Sequence, residues 1–181
     1  MKAIFLTQYG SPDKAFEIRE TVEPEMKDRQ VIVATEGFGL NFADVMARNG
    51  LYKEAPPLPC VLGYEVVGRV EKIGADVDPS WKGKRVLAFT RFGGYAEKVA
   101  TDHRGLVPIP DDLPLAKAAA MGTQYATAYY SMMHSMTLLP GDWVLIHAAA
   151  GGVGLALGQM ARHRGCKIIG TAGSDEKCEF L

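Results

Sequence analysis

The sequence predicts a mixed β and α/β protein, with a β domain first and an α/β unit at its end. Up to about Pro110, short β-branched and apolar runs alternate with turns that contain Gly, Pro and Asp, a pattern typical of a small β-barrel domain. From residue 142 to residue 177 the pattern becomes an apolar strand, a glycine-rich turn, a helix and a second strand. We therefore expect three segments: a β domain over 1–112, a helical connector over 113–141 and an α/β unit over 142–181.

The elements of the β domain follow from apolar runs set between turns. One helix interrupts them over 41–49, and it is followed by Gly50 and the proline-rich loop EAPPLPC. The connector is rich in Ala, Leu and Met, and we predict two helical pieces in it, joined near Gly122. The predicted strands are 2–6, 16–21, 30–39, 64–73, 85–89 and 95–101.

The α/β unit has the order of elements that binds a dinucleotide. Residues 143–146 suit a strand buried on both faces of a parallel sheet, a helix is predicted over 153–164 with Gly165 as its C-terminal cap, and a second strand over 166–172. Because glycine has no Cβ, the turn before the helix lets a bulky anion approach the N–H groups of the helix start. We expect a pyrophosphate there, bound by Ala149, Ala150, Gly151, Gly152, Val153 and Gly154.

The residues after the second strand favour NADPH over NADH as the cofactor. Sites that select NADH carry an acidic residue at the end of this strand, whereas this chain has Ala172. Ser174 and Lys177 follow, and the lysine can pair with a 2′-phosphate. The alternative is that Ser174 caps the next helix and Lys177 is a solvated surface charge. We place four residues of this segment in the cofactor site: Thr171, Gly173, Ser174 and Lys177.

The composition excludes several classes of partner. A net charge of −1 leaves no basic face for nucleic acid and no polybasic patch for a membrane. Without a long apolar run or a signal segment, we expect a cytoplasmic protein. The three cysteines, Cys60, Cys166 and Cys178, are odd in number and far apart, which fits reduced thiols. The spacing of cysteines and histidines predicts no metal site.

Six motifs occur in order along nearly the whole chain: GFGLNFADVMARNGLY, PLPCVLGYEVVGRVEKIGADV, GKRVLAF, GGYAEKV, ATAYYSM and IHAAAGGVG. Together they resemble the medium-chain dehydrogenase/reductase superfamily, specifically its quinone oxidoreductase and zeta-crystallin branch, with the vesicle amine transport protein relatives nearest. The resemblance implies a GroES-like β domain that bears the active site, followed by the first part of a Rossmann-type domain. It also implies a longer protein that forms a homodimer.

The resemblance is to a zinc-independent member. Zinc enzymes of the superfamily have cysteine at the position of Asn41 and histidine at the position of Tyr64, and neither an amide nor a phenol is a good zinc ligand. The implied activity is NADPH-dependent hydride transfer to a quinone or an activated enone. The implied catalytic residues are Asn41 and Tyr52, near the nicotinamide and the substrate, and Thr127 matches a position that contacts the cofactor.

Several alternatives remain open. Asn41 stands where a helix N-cap belongs, and both roles can hold together. Thr127 is alternatively a helix residue whose hydroxyl bonds back to its own turn. Glu65 is interpreted as a buried acid that braces the backbone rather than as a metal ligand. For the whole protein, the second hypothesis is a non-enzymatic nucleotide-binding or regulatory member of the same family, whose small-molecule ligand is bound without turnover.

Overall fold

The valine-rich runs of the N-terminal region form two antiparallel sheets. In the computed structural model, which describes residues 1–181, these sheets belong to unit 1 (Met1–Gly122), and a second unit, unit 2, comprises Thr123–Leu181. Unit 1 also contains helices α1 (Pro12–Ala15) and α2 (Phe42–Arg48) and two single turns of 3-10 helix, Pro79–Trp81 and His103–Gly105. Its strands are β1 (Lys2–Leu6), β2 (Phe16–Glu20), β3 (Gln30–Phe38), β4 (Cys60–Val61), β5 (Glu65–Ile73), β6 (Arg85–Phe89), β7 (Lys98–Asp102) and β8 (Leu106–Pro108).

The larger sheet of unit 1 brings the end of β3 next to the start of β5. Its strand order is β7-β3-β5-β6-β8, and the smaller sheet has the order β2-β1-β4. A Cβ at Gly68 would lie 2.9 Å from the Ala34 carbonyl carbon, so glycine is needed where β3 and β5 approach at a bulge. Phe38 pairs with Val66, and the candidate site begins just beyond this pair. The core of the sheet is apolar and fully buried, with Val31, Val33, Val66 and Val86 at its centre.

Most predicted strands of unit 1 match the structure. The strands over 2–6 and 85–89 have the predicted bounds. The strand predicted over 95–101 begins instead at Lys98, because Tyr95 accepts a hydrogen bond from Ile4 N at 2.8 Å and Ala96 bridges Ala3. Helix α1 and strands β4 and β8 have only two to four residues, too few to show a periodic pattern, and were not predicted.

One continuous helix, α3 (Leu115–His134), occurs where the sequence predicted two pieces joined near Gly122, so that prediction was wrong. A Cβ at position 122 would lie 2.9 Å from Cγ of Glu65. Gly122 therefore allows the helix to pack closely on Glu65 rather than breaking it. Neither α3 nor any other helix has the length and apolar composition that crossing a bilayer requires.

Unit 2 contains the predicted strand–helix–strand, followed by one short helix. Its elements after α3 are β9 (Trp143–Ile146), α4 (Gly152–His163), β10 (Lys167–Gly170) and α5 (Asp175–Phe180), and β9 and β10 pair in parallel. The prediction that β9 is buried on both faces was wrong for this chain. Val144 and Ile146 are buried, whereas Trp143 is 65% exposed and Leu145 is 57% exposed, because α4 packs against one face of the strand pair.

Candidate active site

Asn41 begins α2 and also binds an acidic side chain. Its backbone is extended, and its N–H donates to Asp44 Oδ2 at 2.9 Å, which is half of a capping box. Its side-chain Nδ2 donates to both carboxylate oxygens of Glu65 at 3.1 Å. The N-cap position and the site position predicted for Asn41 are therefore compatible, because the backbone starts the helix while the amide is held by Glu65.

Glu65 is fully buried at the start of β5. Two glycines make room for its side chain, because a Cβ at either Gly39 or Gly122 would collide with it. A buried carboxylate is costly unless it is hydrogen-bonded, and the amide of Asn41 supplies one such partner. Glu65 thus fixes the orientation of the Asn41 side chain, a contact that the sequence alone did not indicate.

Asp44 joins the start of α2 to the turn before β5. Besides Asn41 N, its carboxylate accepts a hydrogen bond from Gly63 N at 3.3 Å. Burial raises the pKa of the neighbouring Tyr95 phenol, and the charge of Asp44 and a hydrogen bond with it raise that pKa further. Gly63 has φ +99°, and a Cβ there would lie 2.6 Å from the Tyr95 ring, so only glycine fits. Asp44 therefore ties the first turn of α2 to the backbone that precedes β5.

Three aromatic rings lie beside this network. Tyr64 is in contact with Phe92 at 5.3 Å between ring centroids, and Tyr52 meets Tyr64 edge-on at 6.4 Å. The Tyr64 hydroxyl is buried and makes no hydrogen bond. Burial raises the pKa of this phenol, and the neighbouring Tyr52 raises it further. Tyr52 itself is half-buried, so its side chain retains a solvent-facing portion.

No group of three or more His, Cys, Asp and Glu side chains lies close enough to bind one metal ion. At the two positions that distinguish zinc members, the amide of Asn41 is bound to Glu65 and the ring of Tyr64 packs against aromatic neighbours. What unit 1 offers chemically is a set of oriented amide and phenol groups.

The glycine-rich turn of unit 2 leaves the start of α4 open. The N-cap of α4 is Gly151, and both Gly151 and Gly152 are exposed. A Cβ at Gly154 would lie 2.7 Å from Cα of Ala149, so glycine is required where the helix packs on the turn. Ala149, at the first motif position, is buried and donates its N–H to Thr171 O at 2.9 Å. The N–H groups of the first helical turn, together with Ala150 and Val153, can hold an anion such as a pyrophosphate.

The residues predicted after the second strand lie at the same edge, where the parallel strands end. Thr171 directly follows β10, and Gly173, Ser174 and Lys177 are exposed. Ser174 Oγ accepts a hydrogen bond from Lys177 N at 3.3 Å, so Ser174 caps α5 as the alternative interpretation had it. The sequence missed His147, whose Nδ1 lies 3.0 Å from the Thr171 hydroxyl, because the histidines are scattered in sequence.

Thr127 lies inside α3 and is exposed. Its carbonyl accepts a hydrogen bond from the Ser131 hydroxyl at 2.9 Å. One turn earlier, Gln124 packs against the glycine-rich turn, since a Cβ at Gly152 would lie 2.5 Å from its side chain. The cofactor contact predicted for Thr127 stays a prediction.

Comparisons with known proteins agree with this architecture. Residues 27–111 match the alcohol dehydrogenase GroES-like domain. The quinone oxidoreductase of Rattus norvegicus is 38% identical over 177 residues, and that of Homo sapiens is 38% identical over 178. Each alignment covers 97% of this chain and 54% of the relative, so the chain spans about half the length of the curated relatives it matches.

Two solved structures extend the comparison. The human synaptic vesicle membrane protein VAT-1 homolog-like protein superposes with a TM-score of 0.93 at 34% identity, over 99% of this chain and 58% of that one. The Escherichia coli quinone oxidoreductase complexed with NADPH superposes with a TM-score of 0.91 at 31% identity, over 99% of this chain and 55% of that one.

The fold is therefore a GroES-like domain followed by the first part of a Rossmann-type domain, the architecture of the medium-chain dehydrogenase/reductases. Within this class, the chain is homologous to quinone oxidoreductases along nearly its whole length, as the resemblance predicted.

Proposed function

We propose that the protein is an NADPH-dependent, zinc-independent oxidoreductase that transfers a hydride to a quinone or an activated enone. The observation that carries this proposal is the open start of α4 after a glycine-rich turn, in a chain homologous to quinone oxidoreductases. Structures of two such relatives, from Escherichia coli and Thermus thermophilus, contain NADPH.

Unit 2 would hold the cofactor. The turn and first helical residues from Ala149 to Gly154 would bind the pyrophosphate through N–H groups and the helix dipole. Thr171 and Gly173 would line the ribose, and Lys177 would pair with the 2′-phosphate. Ser174 can still donate its hydroxyl proton to that phosphate while its oxygen caps α5. Ala172 stands where sites for NADH carry an acidic residue, so no negative charge at this position would repel the 2′-phosphate.

Unit 1 would supply the groups that orient the substrate. Glu65 keeps the Asn41 amide in one orientation, and the half-buried Tyr52 phenol offers a hydrogen-bond donor to a carbonyl oxygen. NADPH supplies the hydride when bound, and a proton from solvent completes the reduction to a hydroquinone or a saturated ketone. Without a metal, orientation and hydrogen bonding must suffice, and this fits a conjugated carbonyl, which accepts hydride readily.

The direct test is NADPH oxidation with a simple quinone and with an enone, measured on this chain and on the longest product of its gene. Turnover should be unchanged by a chelator and much slower with NADH. A chelator-sensitive activity, or equal rates with NADH, would contradict the proposal.

A charge variant tests the cofactor preference. Lys177→Ala should weaken NADPH binding about tenfold, since it removes a charge-assisted contact, and should leave NADH binding unchanged. Lys167→Ala is the matched control, because Lys167 starts β10 at the opposite end of the strand and packs over Trp143. Equal losses for both nucleotides would show that Lys177 does not contact the phosphate.

The second candidate is a non-enzymatic nucleotide-binding member. It is favoured by the superposition with a human VAT-1 homolog-like protein whose name states no enzymatic activity. NADPH binding without turnover on any quinone or enone would support it. Self-association as a homodimer is a separate proposal, and light scattering on the purified protein tests it.

A further inference from the structure

Tyr64 lies on a backbone that two other segments, at Asp44 and at Thr90, fix in place. The Gly63 N–H donates to Asp44, and the Gly63 carbonyl accepts the Thr90 hydroxyl proton at 2.8 Å. The Tyr64 carbonyl accepts from Thr90 N at 2.8 Å. The ring is therefore anchored at the start of β5, with Phe92 against one side.

The hydroxyl of this anchored ring lacks a hydrogen-bond partner. It is also excluded from solvent. Buried hydroxyl groups are hydrogen-bonded in the great majority of proteins, because a lost bond to water must be replaced. Its polar neighbour is Tyr52, which lies edge-on to the Tyr64 ring and is one cause of the raised pKa of the Tyr64 phenol.

Tyr52 and Tyr64 are both half-buried residues, but the Tyr64 hydroxyl itself is excluded from solvent. Tyr52 lies between α2 and β4 in a segment without helix or strand. Its ring stands at 89° to the Tyr64 ring. The two phenols are therefore neighbours, with the backbone of Tyr64 held by hydrogen bonds and Tyr52 as the polar group beside its ring.

We infer that Tyr64 is a positioning residue that donates a hydrogen bond to the Tyr52 oxygen and so turns the Tyr52 hydroxyl toward the substrate oxygen. This inference rests on the proposed function, in which Tyr52 contacts the substrate. A hydroxyl whose oxygen accepts a hydrogen bond is itself a stronger donor, so the pair stabilises negative charge on the substrate oxygen better than one phenol does. Neither phenol gives up its proton in this role.

Kinetics of single and double variants test the coupling. Tyr64→Phe should lower kcat roughly tenfold and leave the KM for the quinone and NADPH binding within about twofold, because the lost contact acts on the transition state. Tyr52→Phe should lower kcat at least as much, and the double variant should be no slower than Tyr52→Phe alone. Multiplicative losses in the double variant, or a Tyr64→Phe enzyme as fast as the parent, would overturn the inference.

Tyr9→Phe is the matched control, since it removes an exposed phenol hydroxyl from the same unit and should leave kcat unchanged. A second measurement does not depend on activity. The Tyr64 hydroxyl proton is shielded from solvent and should give a proton NMR signal that disappears in Tyr64→Phe and shifts in Tyr52→Phe. If the chemical shift of this proton is unchanged in Tyr52→Phe, the hydrogen bond between Tyr64 and Tyr52 is refuted even in an active enzyme. A shifted signal in a protein that reduces no quinone or enone keeps the pairing and refutes the proposed function.

Discussion

Two glycines of the same helix should respond oppositely to alanine. A Cβ at Gly154 would lie 2.7 Å from both Cα and the carbonyl oxygen of Ala149, which are backbone atoms that cannot move aside. Overpacking of this kind costs about 1–3 kcal/mol, partly offset by about 1 kcal/mol of gained helix propensity. At Gly158 a Cβ would meet nothing within 4 Å, so only the gain of about 1 kcal/mol remains.

Gly154→Ala should therefore unfold unit 2 about 1–3 kcal/mol more easily than Gly158→Ala. The assay is denaturant unfolding followed by circular dichroism, together with NADPH binding by fluorescence. The clash lies within the predicted pyrophosphate turn, so Gly154→Ala should also weaken NADPH binding, whereas Gly158→Ala should not. Equal stabilities of the two variants, or tighter NADPH binding by Gly154→Ala, would refute the packing argument.

Two further predictions concern unit 1. Arg85 is buried and donates hydrogen bonds to Glu36 at 2.8 Å and to three backbone carbonyls. Because Arg85→Met would leave these acceptors without their buried partner, it should lower the free energy of unfolding by about 3 kcal/mol. The control is the exposed ion pair between Arg104 and Asp102, where Arg104→Met should lower the free energy of unfolding by less than about 1 kcal/mol. Equal losses of stability in the two variants would contradict the burial argument. Hydrogen bonds from Lys72 and Lys98 lower the pKa of Glu23 to about 2, and a lowered folded-state pKa means that the stabilisation is present at neutral pH and is lost as the pH falls toward that value. The stability difference between the parent and Glu23→Gln should shrink on acidification, and an NMR titration that finds Glu23 at its usual pKa would rule this out.

The sequence by itself determined the features that depend on neighbours in the chain. Strands such as 85–89 show their apolar pattern directly, and the glycine-rich turn between β9 and α4 needs glycine for reasons of local geometry. Asn41 was identifiable at a helix start because capping is a contact between residues three apart. Comparison of motifs then added the class of fold.

The tertiary structure alone decided which distant residues meet. Glu65 binds the amide of Asn41, 24 residues earlier, and its bulk explains why Gly122 sits inside an unbroken α3 rather than ending it. His147 reaches Thr171 only because β9 and β10 are parallel neighbours and their carboxyl ends share one edge. The physical reason is common to these contacts. Local propensity acts over one or two turns of chain, whereas a buried polar group must find its partner wherever the sheet register and helix packing place one.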